Sequence, residues 1–534
     1  MQRFEGERLY SATDLVAFLE CEHLSALDLR ALDDDALRAE RSQAAESQQL
    51  IADKGDAHEK RHLADQHAQG RQVVDIAAGG GSIADKVQAT LAAMRAGVEV
   101  IYQATLRDGC WVGHADFLRR VDGAASSLGS WSYEVADTKL ARSPKAKFLV
   151  QLAFYSDLVA KAQGVAPRQM HVVLGDGTER NFRVADYAHY LESLRTRFLT
   201  AIEGLLDATR QAPYPVPCEH CDLCHWSKRC ERQRLADDHL SQVAGITRIQ
   251  TARLEEAGVS TMAALATLPA DARVARVQPE TLDKLRGQAA LQEYARRTGE
   301  RKLEHLPLDP DRRRGFSRLP RPDEGDLYFD MEGDPLEDGG LEYLFGLWFR
   351  EEGQWSFKPF WAHDRVQERQ AFEEFIDFCM AHRRRHPGSH IYHYASYEET
   401  ALKRLASLHA SREVEVDDWL RQGVLVDLYK VVREGLRVSE SSYSIKYIER
   451  FYRPARAGDV TNAGASIVFY ERWRETQDPQ LLQDIADYNR DDVESTQQLH
   501  DWLLSLRPEG MPWRDVTAGT DAGEQKSDAV REIE

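Results

Sequence analysis

A carboxylate and an ammonium two residues apart constrain the first half of the chain more than any other feature. Asp137 and Lys139 lie in WSYEVADTKLAR, which alternates like a β-strand, and Asp116 lies in the preceding apolar stretch GHADFLRRV. Because side chains alternate along a strand, Asp137 and Lys139 are expected on one face of a sheet. Carboxylates on neighbouring strands bind Mg²⁺ or Mn²⁺, and a lysine beside them orients water and holds a phosphate. The pattern predicts a site that cleaves phosphodiesters.

The order of the surrounding motifs resembles the RecB-like branch of the PD-(D/E)XK nucleases. That family combines an early histidine, an aspartate, a D/E-x-K pair and Q-x-x-x-Y, and the matching residues are His58, Asp116, Asp137 with Lys139, and Gln151 with Tyr155. The resemblance implies a restriction-endonuclease-like core. It also implies that the histidine and both aspartates approach the metal, that the lysine is catalytic, and that the Q-x-x-x-Y helix places the nucleic acid. By itself, D-x-K also suits a solvated salt bridge on an ordinary strand.

Length and charge narrow the class of protein. A chain of 534 residues exceeds one hydrophobic core, so two or three domains are expected. The net charge of −19 argues against a uniformly basic nucleic-acid-binding surface, but it permits local basic tracks such as 312–321. No apolar run is long enough to span a membrane and no signal region is found, so we expect no membrane partner and a cytoplasmic location.

Four of the seven cysteines crowd into positions 218–230. Cys221, Cys224 and Cys230 have the spacing C-x₂-C-x₅-C, at which thiolates bind zinc or an iron–sulfur cluster, and a fourth ligand is needed. In RecB-like nucleases with a [4Fe–4S] cluster, one amino-terminal cysteine joins three carboxy-terminal ones, and Cys21 matches it. The resemblance therefore implies a cluster that staples the first domain from start to end. A local zinc site that includes Cys218, with Cys21 merely packed, is the alternative.

A helical region follows the cysteines. The stretch AGITRIQTARLEEAGVST resembles a helix-hairpin-helix, with Gly245 and Gly258 in its hairpins. Such hairpins offer backbone N–H groups at helix starts to phosphates without reading base sequence. An ordinary helical linker is the alternative. The stretch 302–322 is rich in Pro, Asp and Arg, which predicts a connector between the two halves.

The second half begins with the predicted strand DLYFDMEGDP, on which Asp330 and Glu332 again lie two residues apart. Two acids on one face of a strand repel each other unless a cation relieves the repulsion. Three predicted strands are followed by alternating helices and strands, including VLVDLYK, and by a late helix with YNRDDVESTQQLHDWL. This is the order of the RNase H fold, and the motifs resemble the YprB-like branch of the DEDD exonucleases.

The DEDD resemblance implies that four acids hold two metal ions and that a tyrosine orients the attacking water. The matching residues are Asp330, Glu332, Glu398 and Asp492, with Tyr488 as the tyrosine. In the middle motif the family commonly has an aromatic residue followed by aspartate, whereas here Tyr397 is followed by the longer Glu398. Asp427 in VDLY is a further candidate acid. An active second site and a silent nucleic-acid-binding fold therefore both stay open.

Together these motifs predict a multidomain α/β protein. We expect a RecB-like nuclease domain with an iron–sulfur cluster at 1–235, a helix-hairpin-helix-like region at 236–301, a linker at 302–322, an RNase H-like DEDD exonuclease domain at 323–510 and a disordered tail at 511–534. The leading hypothesis is a metal-dependent nuclease of DNA processing or repair that acts on single strands or ends, with a second site of 3′–5′ exonuclease type. A helicase is a candidate partner.

Two other functions stay open. A catalytically weak iron–sulfur scaffold would hold nucleic acid for a separate helicase or nuclease, and tight binding without cleavage would reveal it. RNA trimming by the second domain alone would depend on Asp330 and not on Lys139. DNA is the expected substrate in the leading hypothesis.

Overall fold

The computed structural model describes residues 1–141, 143–307, 313–337, 339–454 and 463–514. Most of the expected tail and residues 308–312 of the expected linker, with Arg312 of the basic track, lie outside these ranges. Within them, no helix is long and apolar enough to cross a membrane. The chain divides into two compact units, Met1–Gln233 with Leu336–Gly339, and Arg234–Pro335 with Gly340–Glu534. The five sequence-derived segments and their boundaries stay predictions.

A mixed six-stranded sheet organises the first unit. A two-stranded ribbon of β1 (Gln2–Phe4) and β2 (Glu7–Leu9) precedes it. The sheet contains, in spatial and chain order, β3 (Val73–Asp75), β4 (Val100–Asp108), β5 (Trp111–Ser126), β6 (Gly129–Lys139), β7 (Gln169–Leu174) and β8 (Glu179–Arg183). β4, β5 and β6 are antiparallel neighbours. β6 and β7 are parallel, so a crossover helix must join them.

Helices cover both faces of this sheet. They are α1 (Ala12–Glu20), α2 (Glu22–Arg30), α3 (Asp35–Ala39), α4 (Glu46–Ala68), α5 (Ile83–Arg95), the crossover helix α6 (Ala146–Gln163), α7 (Ala188–Leu206) and α8 (Ser227–Ala236), which crosses the division between the units. Leu63 of α4 packs with Phe117, whereas Phe154 of α6 shares the main core with Leu118. Consecutive strand residues face opposite sides, so α4 and α6 lie on opposite faces.

The second unit combines a helical layer with a five-stranded sheet. The helices are α9 (Arg248–Glu256), α10 (Met262–Ala266) and α11 (Pro279–Thr298), and the short strand β9 (Leu303–His305) follows. The sheet strands are β10 (Leu327–Asp334), β11 (Leu341–Glu351), β12 (Gln354–Trp361), β13 (Ile391–His393) and β14 (Leu425–Asp427), in the order β12-β11-β10-β13-β14. β10 is antiparallel to β11 and parallel to β13. These two units confirm the predicted α/β class.

The remaining elements of the second unit surround this sheet. They are α12 (Arg365–Arg385), α13 (Tyr397–His409), α14 (Glu413–Gln422), α15 (Leu428–Gly435), β15 (Leu436–Val438), α16 (Ile445–Ile448), α17 (Ala463–Thr476) and α18 (Pro479–Leu506). The predicted strand VLVDLYK was wrong in its second half, which forms the start of α15. The reason is local, because Asp427 Oδ1 accepts a hydrogen bond from Tyr429 N at 2.9 Å and caps that helix.

Candidate active sites

Four acids meet in the second unit, and we name Asp330, Glu332, Glu398 and Asp492 the four-acid cluster. Asp330 and Glu332 lie on the central strand β10, and Asp492 lies on α18, which packs against it. Oxygen atoms of these three carboxylates lie within 4.8 Å of one another. Glu398, in the first turn of α13, is buried and is close enough to Asp330 to raise the pKa of that carboxyl. The fold therefore joins residues from three elements.

Electrostatics in the four-acid cluster favour a cation. Burial raises the pKa of Asp330 well above its ordinary value, and the charges of Asp492, Glu332 and Glu398 raise it further. Burial and the charge of Asp492 raise the pKa of Glu332 to about 8, although the nearby polar groups of Ser466 and Asn489 act in the opposite direction. Carboxylate oxygens are the ligands that Mg²⁺ and Mn²⁺ prefer. The residues present fit a divalent metal ion.

Two carboxylates and a lysine meet in the first unit, and we name Asp116, Asp137 and Lys139 the lysine-bearing cluster. Lys139 Nζ lies 2.8 Å from Asp137 Oδ2, and the Asp137 side chain is fully buried. Asp116 Oδ2 accepts a hydrogen bond from Thr138 N at 3.3 Å, which ties β5 to β6. The structure thus brings together Asp137 and Lys139, whose spacing predicted a common face, and Asp116 of the preceding strand.

The lysine changes the charge balance of this cluster. Burial raises the pKa of Asp116 well above its ordinary value and the charge of Asp137 adds to it, while Lys139 acts in the opposite direction. Burial alone would lower the pKa of Lys139, but the charges of Asp137 and Asp116 raise it. The ammonium therefore stays charged at neutral pH and compensates the carboxylates. Two oxygen-bearing acids beside it also fit a divalent metal ion.

The Q-x-x-x-Y helix lies beside the same acids. Gln151 Nε2 donates a hydrogen bond to Tyr155 Oη at 3.0 Å. Burial raises the pKa of Tyr155, and the charges of Asp137 and Asp116 raise it further, so the tyrosine is close to both carboxylates. His58 lies on α4 and is 6% exposed, and its Nε2 has no hydrogen-bond partner within the part of the chain that the structure describes.

The comparison with known families concerns the second unit. Residues 327–504 match the family model RNase_H_2 of the RNase_H superfamily. The second unit contains an RNase H-like domain. The matched span includes the whole four-acid cluster, and a domain of this superfamily indicates nuclease-type hydrolysis of nucleic acids with divalent metal ions. No curated protein matches the chain.

Of two further candidate residues in the RNase H-like domain, Tyr488 lies on the helix face that carries Asp492, whereas Asp427 hydrogen-bonds with the backbone. Tyr488 lies four residues before Asp492 on α18, so both face the same side of the helix. Its ring lies 5.9 Å from Lys446 Nζ. Asp427 instead uses Oδ1 to accept hydrogen bonds from the backbone N of Ala395 and Tyr429, at 3.0 and 2.9 Å. The structure therefore gives Asp427 a capping role.

Sequence reasoning missed three residues at these sites. His393 is fully buried at the end of β13, with Nδ1 3.4 Å from Glu398 Oε2. Burial lowers the pKa of His393, but contact with Glu398 outweighs it and raises the pKa above its ordinary value.

Asn489 Nδ2 donates a hydrogen bond to Asp330 Oδ2 at 2.8 Å. Glu59, next to His58, is close enough to raise the pKa of Asp116 as a smaller influence. A polar residue inside an apolar strand was the available signal for His393, whereas Glu59 and Asn489 lie in polar stretches of helix.

Five cysteines gather in the first unit. Cys21, Cys224 and Cys230 contribute to one small hydrophobic cluster around Trp226. Cys218 Sγ lies 3.9 Å from Cys221 Sγ. Burial raises the pKa of Cys224 to about 11, and Cys230, Cys21 and Cys221 contribute to the increase. The structure brings Cys21 to the carboxy-terminal cysteines, and it brings Cys218 there as well.

The two hairpin glycines precede helices. Gly245 and Gly258 have φ values of +79° and +81°, which a residue with a Cβ rarely adopts. Thr247 and Thr261 follow them and cap α9 and α10 through their side chains. The Arg433 guanidinium lies beside Gly245, at 2.9 Å from a Cβ built there, whereas a Cβ at Gly258 meets nothing within 4 Å among the described residues. The second hairpin is the more open one.

Proposed function

We propose that this protein is a metal-dependent nuclease that hydrolyses phosphodiester bonds at the four-acid cluster of its RNase H-like domain. The observation that carries this proposal is the approach of Asp330, Glu332 and Asp492 to within 4.8 Å of one another. Divalent ions bound there would polarise the scissile phosphate and lower the pKa of water. Within this class of enzyme, we propose a 3′–5′ exonuclease of the DEDD type.

Each residue of the four-acid cluster has a role in this proposal, and so do His393 and Tyr488. Asp330, Glu332 and Asp492 hold the metal ions through their carboxylate oxygens. Glu398 completes the set, and contact with buried His393 fixes its longer side chain. Tyr488 orients the attacking water from the same face of α18 that carries Asp492. The protein's contribution is position and charge, because a phosphoryl transition state requires little covalent chemistry from the enzyme.

We propose a second nuclease site of PD-(D/E)XK type at the lysine-bearing cluster. Asp116 and Asp137 would bind the metal ion with support from His58, and Lys139 would activate or position water. Gln151 and Tyr155 would contact the strand. The short contact between Lys139 and Asp137 and the effect of both acids on Tyr155 support this grouping. The substrate we propose is DNA, as single strands or ends in processing or repair, with a helicase as partner.

The hairpins give a further proposed contact with the nucleic acid. Gly245 and Gly258 would let the chain approach a phosphate closely, and the backbone N–H groups that follow would donate to it. The open space around Gly258 supports the second hairpin in this role.

We propose that Cys21, Cys221, Cys224 and Cys230 hold a [4Fe–4S] cluster with a structural role. The proximity of Cys21 to Cys224 supports this set. Among the described residues, no three cysteine sulfurs lie within 4.8 Å of one another. In a tetrahedral zinc site they would be about 3.8 Å apart, given Zn–S bonds of about 2.3 Å. The pair Cys218 and Cys221, at 3.9 Å, has that separation, so a local zinc site that includes Cys218 is the alternative to be tested.

Anaerobic purification distinguishes a bound iron–sulfur cluster from bound zinc. We expect brown protein whose visible absorbance and iron content fall equally in Cys21→Ala and Cys224→Ala. Cys218→Ala is the matched control, because it removes a neighbouring thiol outside the proposed set, and it should retain iron. Bound zinc that is insensitive to Cys21→Ala would contradict the proposal that Cys21 shares a cluster with Cys221, Cys224 and Cys230.

Cleavage assays test the nuclease proposal directly. End-labelled single- and double-stranded DNA and RNA are incubated with anaerobically purified protein and Mn²⁺ or Mg²⁺. The variants are Asp330→Ala and Lys139→Ala, with exposed Asp417→Ala and Lys145→Ala as controls. We expect Asp330→Ala to lower cleavage by the RNase H-like domain more than about 100-fold, since loss of a residue that only orients a ligand already costs about 10- to 100-fold.

The pattern of losses assigns each site. Activity removed by Lys139→Ala alone would place cleavage in the first unit and leave the RNase H-like domain as a binding module. Activity on RNA removed by Asp330→Ala alone would indicate trimming by the second unit. Tight binding without cleavage by metal-loaded protein would contradict the proposal and favour the scaffold.

A further inference from the structure

Asn489 contacts the four-acid cluster from the middle of α18. It is fully buried, between Tyr488 and Asp492 in the chain. Its Nδ2 donates to Asp330 Oδ2 at 2.8 Å, and the amide is close enough to Glu332 to lower the pKa of that carboxyl. One neutral amide thus connects a carboxylate of β10 to the helix that carries Asp492.

Gly346 makes room for this amide. It lies on β11 directly opposite Asp330 in the antiparallel register. A Cβ on Gly346 would lie 1.5 Å from Asn489 Oδ1 and 2.7 Å from Asn489 Cγ. Gly346 is not among the glycines with positive φ, so backbone conformation does not require glycine there. The requirement comes from the close approach of the Asn489 side chain, a recognised reason for glycine inside a strand.

A neutral donor is well suited to this position. The acids of β10 and the acid of α18 belong to separate elements, so a shared cation requires that their oxygens keep a fixed relative position. A hydrogen bond to Oδ2 stops rotation of the Asp330 carboxylate and leaves Oδ1 to other partners. An ammonium or guanidinium would do the same, but its charge would compete with a metal ion for the carboxylates.

We propose that Asn489 is a positioning residue, whose amide fixes the Asp330 carboxylate so that β10 and α18 present their acids to one divalent cation. Gly346 is the glycine that this contact requires. The inference rests on the proposed function of the four-acid cluster. It assigns the two residues to metal affinity, since partners that orient metal ligands commonly change affinity about 10- to 100-fold.

The test measures Mn²⁺ binding rather than cleavage. Full-length, metal-free protein carrying Asp137→Asn, which disables the lysine-bearing cluster, is titrated with Mn²⁺ by isothermal calorimetry. Asn489→Ala and the volume-conserving Asn489→Leu should bind Mn²⁺ about 10- to 100-fold more weakly. Gln483→Ala is the matched control, because Gln483 also donates an amide hydrogen bond to a carboxylate on α18, at 3.0 Å to Asp487, but is exposed. It should bind Mn²⁺ like the parent.

A double-mutant cycle tests the role of Gly346 independently of metal. Gly346→Ala should destabilise the protein strongly, and in an Asn489→Ala background the same change should cost much less, because Oδ1 and Cγ are gone. Urea unfolding measures the coupling. Equal costs in both backgrounds would overturn the part of the inference that concerns Gly346.

Two results would overturn the positioning role, and they differ in meaning. If Asp330→Ala abolishes Mn²⁺ binding while both Asn489 variants bind like the parent, the positioning role is wrong and the metal site stands. If Asp330→Ala binds Mn²⁺ like the parent, the metal site of the proposed function is wrong and the inference falls with it. Weakened binding in both Asn489 variants, with far-UV circular dichroism unchanged, supports the inference.

Discussion

The two acidic clusters differ in what relieves the repulsion between their buried carboxylates. In the lysine-bearing cluster, a cation of the chain itself lies 2.8 Å from a fully buried carboxylate. In the four-acid cluster, the main influences on Asp330 are burial and three further carboxylates, and all of them raise its pKa. The first cluster carries its own counter-charge, whereas the second holds acids whose repulsion is relieved by protons or by a metal ion.

This difference predicts how each cluster couples to folding. A buried ion pair is stable when both partners are present and strongly destabilising when one is removed. A group of acids without a cation is stabilised by whatever binds to the folded state, so metal binding adds directly to its stability. Folding of the RNase H-like domain should therefore respond more strongly to Mn²⁺ than folding of the first unit.

Removal of the lysine should make the first cluster behave like the second. Lys139→Met keeps most of the side-chain volume but leaves Asp137 buried without its counter-charge. We expect the free energy of unfolding of metal-free protein to fall by about 3 kcal/mol, a value typical of a broken buried pair. Urea unfolding with and without Mn²⁺ measures the loss and its partial recovery.

The matched control is Lys145→Met, which removes an exposed lysine just before α6 and should change stability little. A Lys139→Met protein as stable as the parent, with no added response to Mn²⁺, would show that the ammonium does not compensate the carboxylates.

The four-acid cluster should make metal-free protein less stable as pH rises. The pKa of Glu332 is raised from 4.5 to about 8, so between these values the folded state binds more protons than the unfolded state. The free energy of unfolding contributed by Glu332 therefore falls from about pH 4.5 to about pH 8. Thermal melts with a chelator at several pH values check this. Glu332→Gln should flatten the dependence, and Mn²⁺ at pH 8 should restore the melting temperature.

Much of the fold followed from local pattern. The alternation in WSYEVADTKLAR predicted a strand, and the structure confirms it in β6, which pairs antiparallel with β5. The order of strands and helices predicted the RNase H-like domain, which the family comparison supports. The predicted strand VLVDLYK was wrong in its second half, because Asp427 ends the strand and caps α15. The hydrogen bond from the backbone N–H of Tyr429 to the Asp427 side chain outweighs the β propensity of Leu428 and Tyr429.

The sites were predictable only where their residues share an element or a motif. A spacing of two placed Asp137 with Lys139 and Asp330 with Glu332, because strand geometry alone decides which face a side chain takes. Asn489 was missed because its partner Asp330 is 159 positions away in the chain, and only the packing of α18 on β10 brings them together. His393 was missed for a different reason, because the turn between β13 and α13 brings it to nearby Glu398 and strand alternation does not describe that turn.

The smallest expected effect concerns the middle motif, where glutamate replaces the usual aspartate. Glu398 is buried and contacts His393 at 3.4 Å, so its surroundings fit the longer side chain. Glu398→Asp should therefore lose that contact, destabilise the protein by about 1 kcal/mol through the missing methylene, and lower kcat about tenfold with little change in KM. Glu399→Asp, on the adjacent and more exposed position paired with Lys403, is the control. A rise in kcat for Glu398→Asp would instead show that the glutamate weakens this site, and would make the lysine-bearing cluster the main nuclease centre.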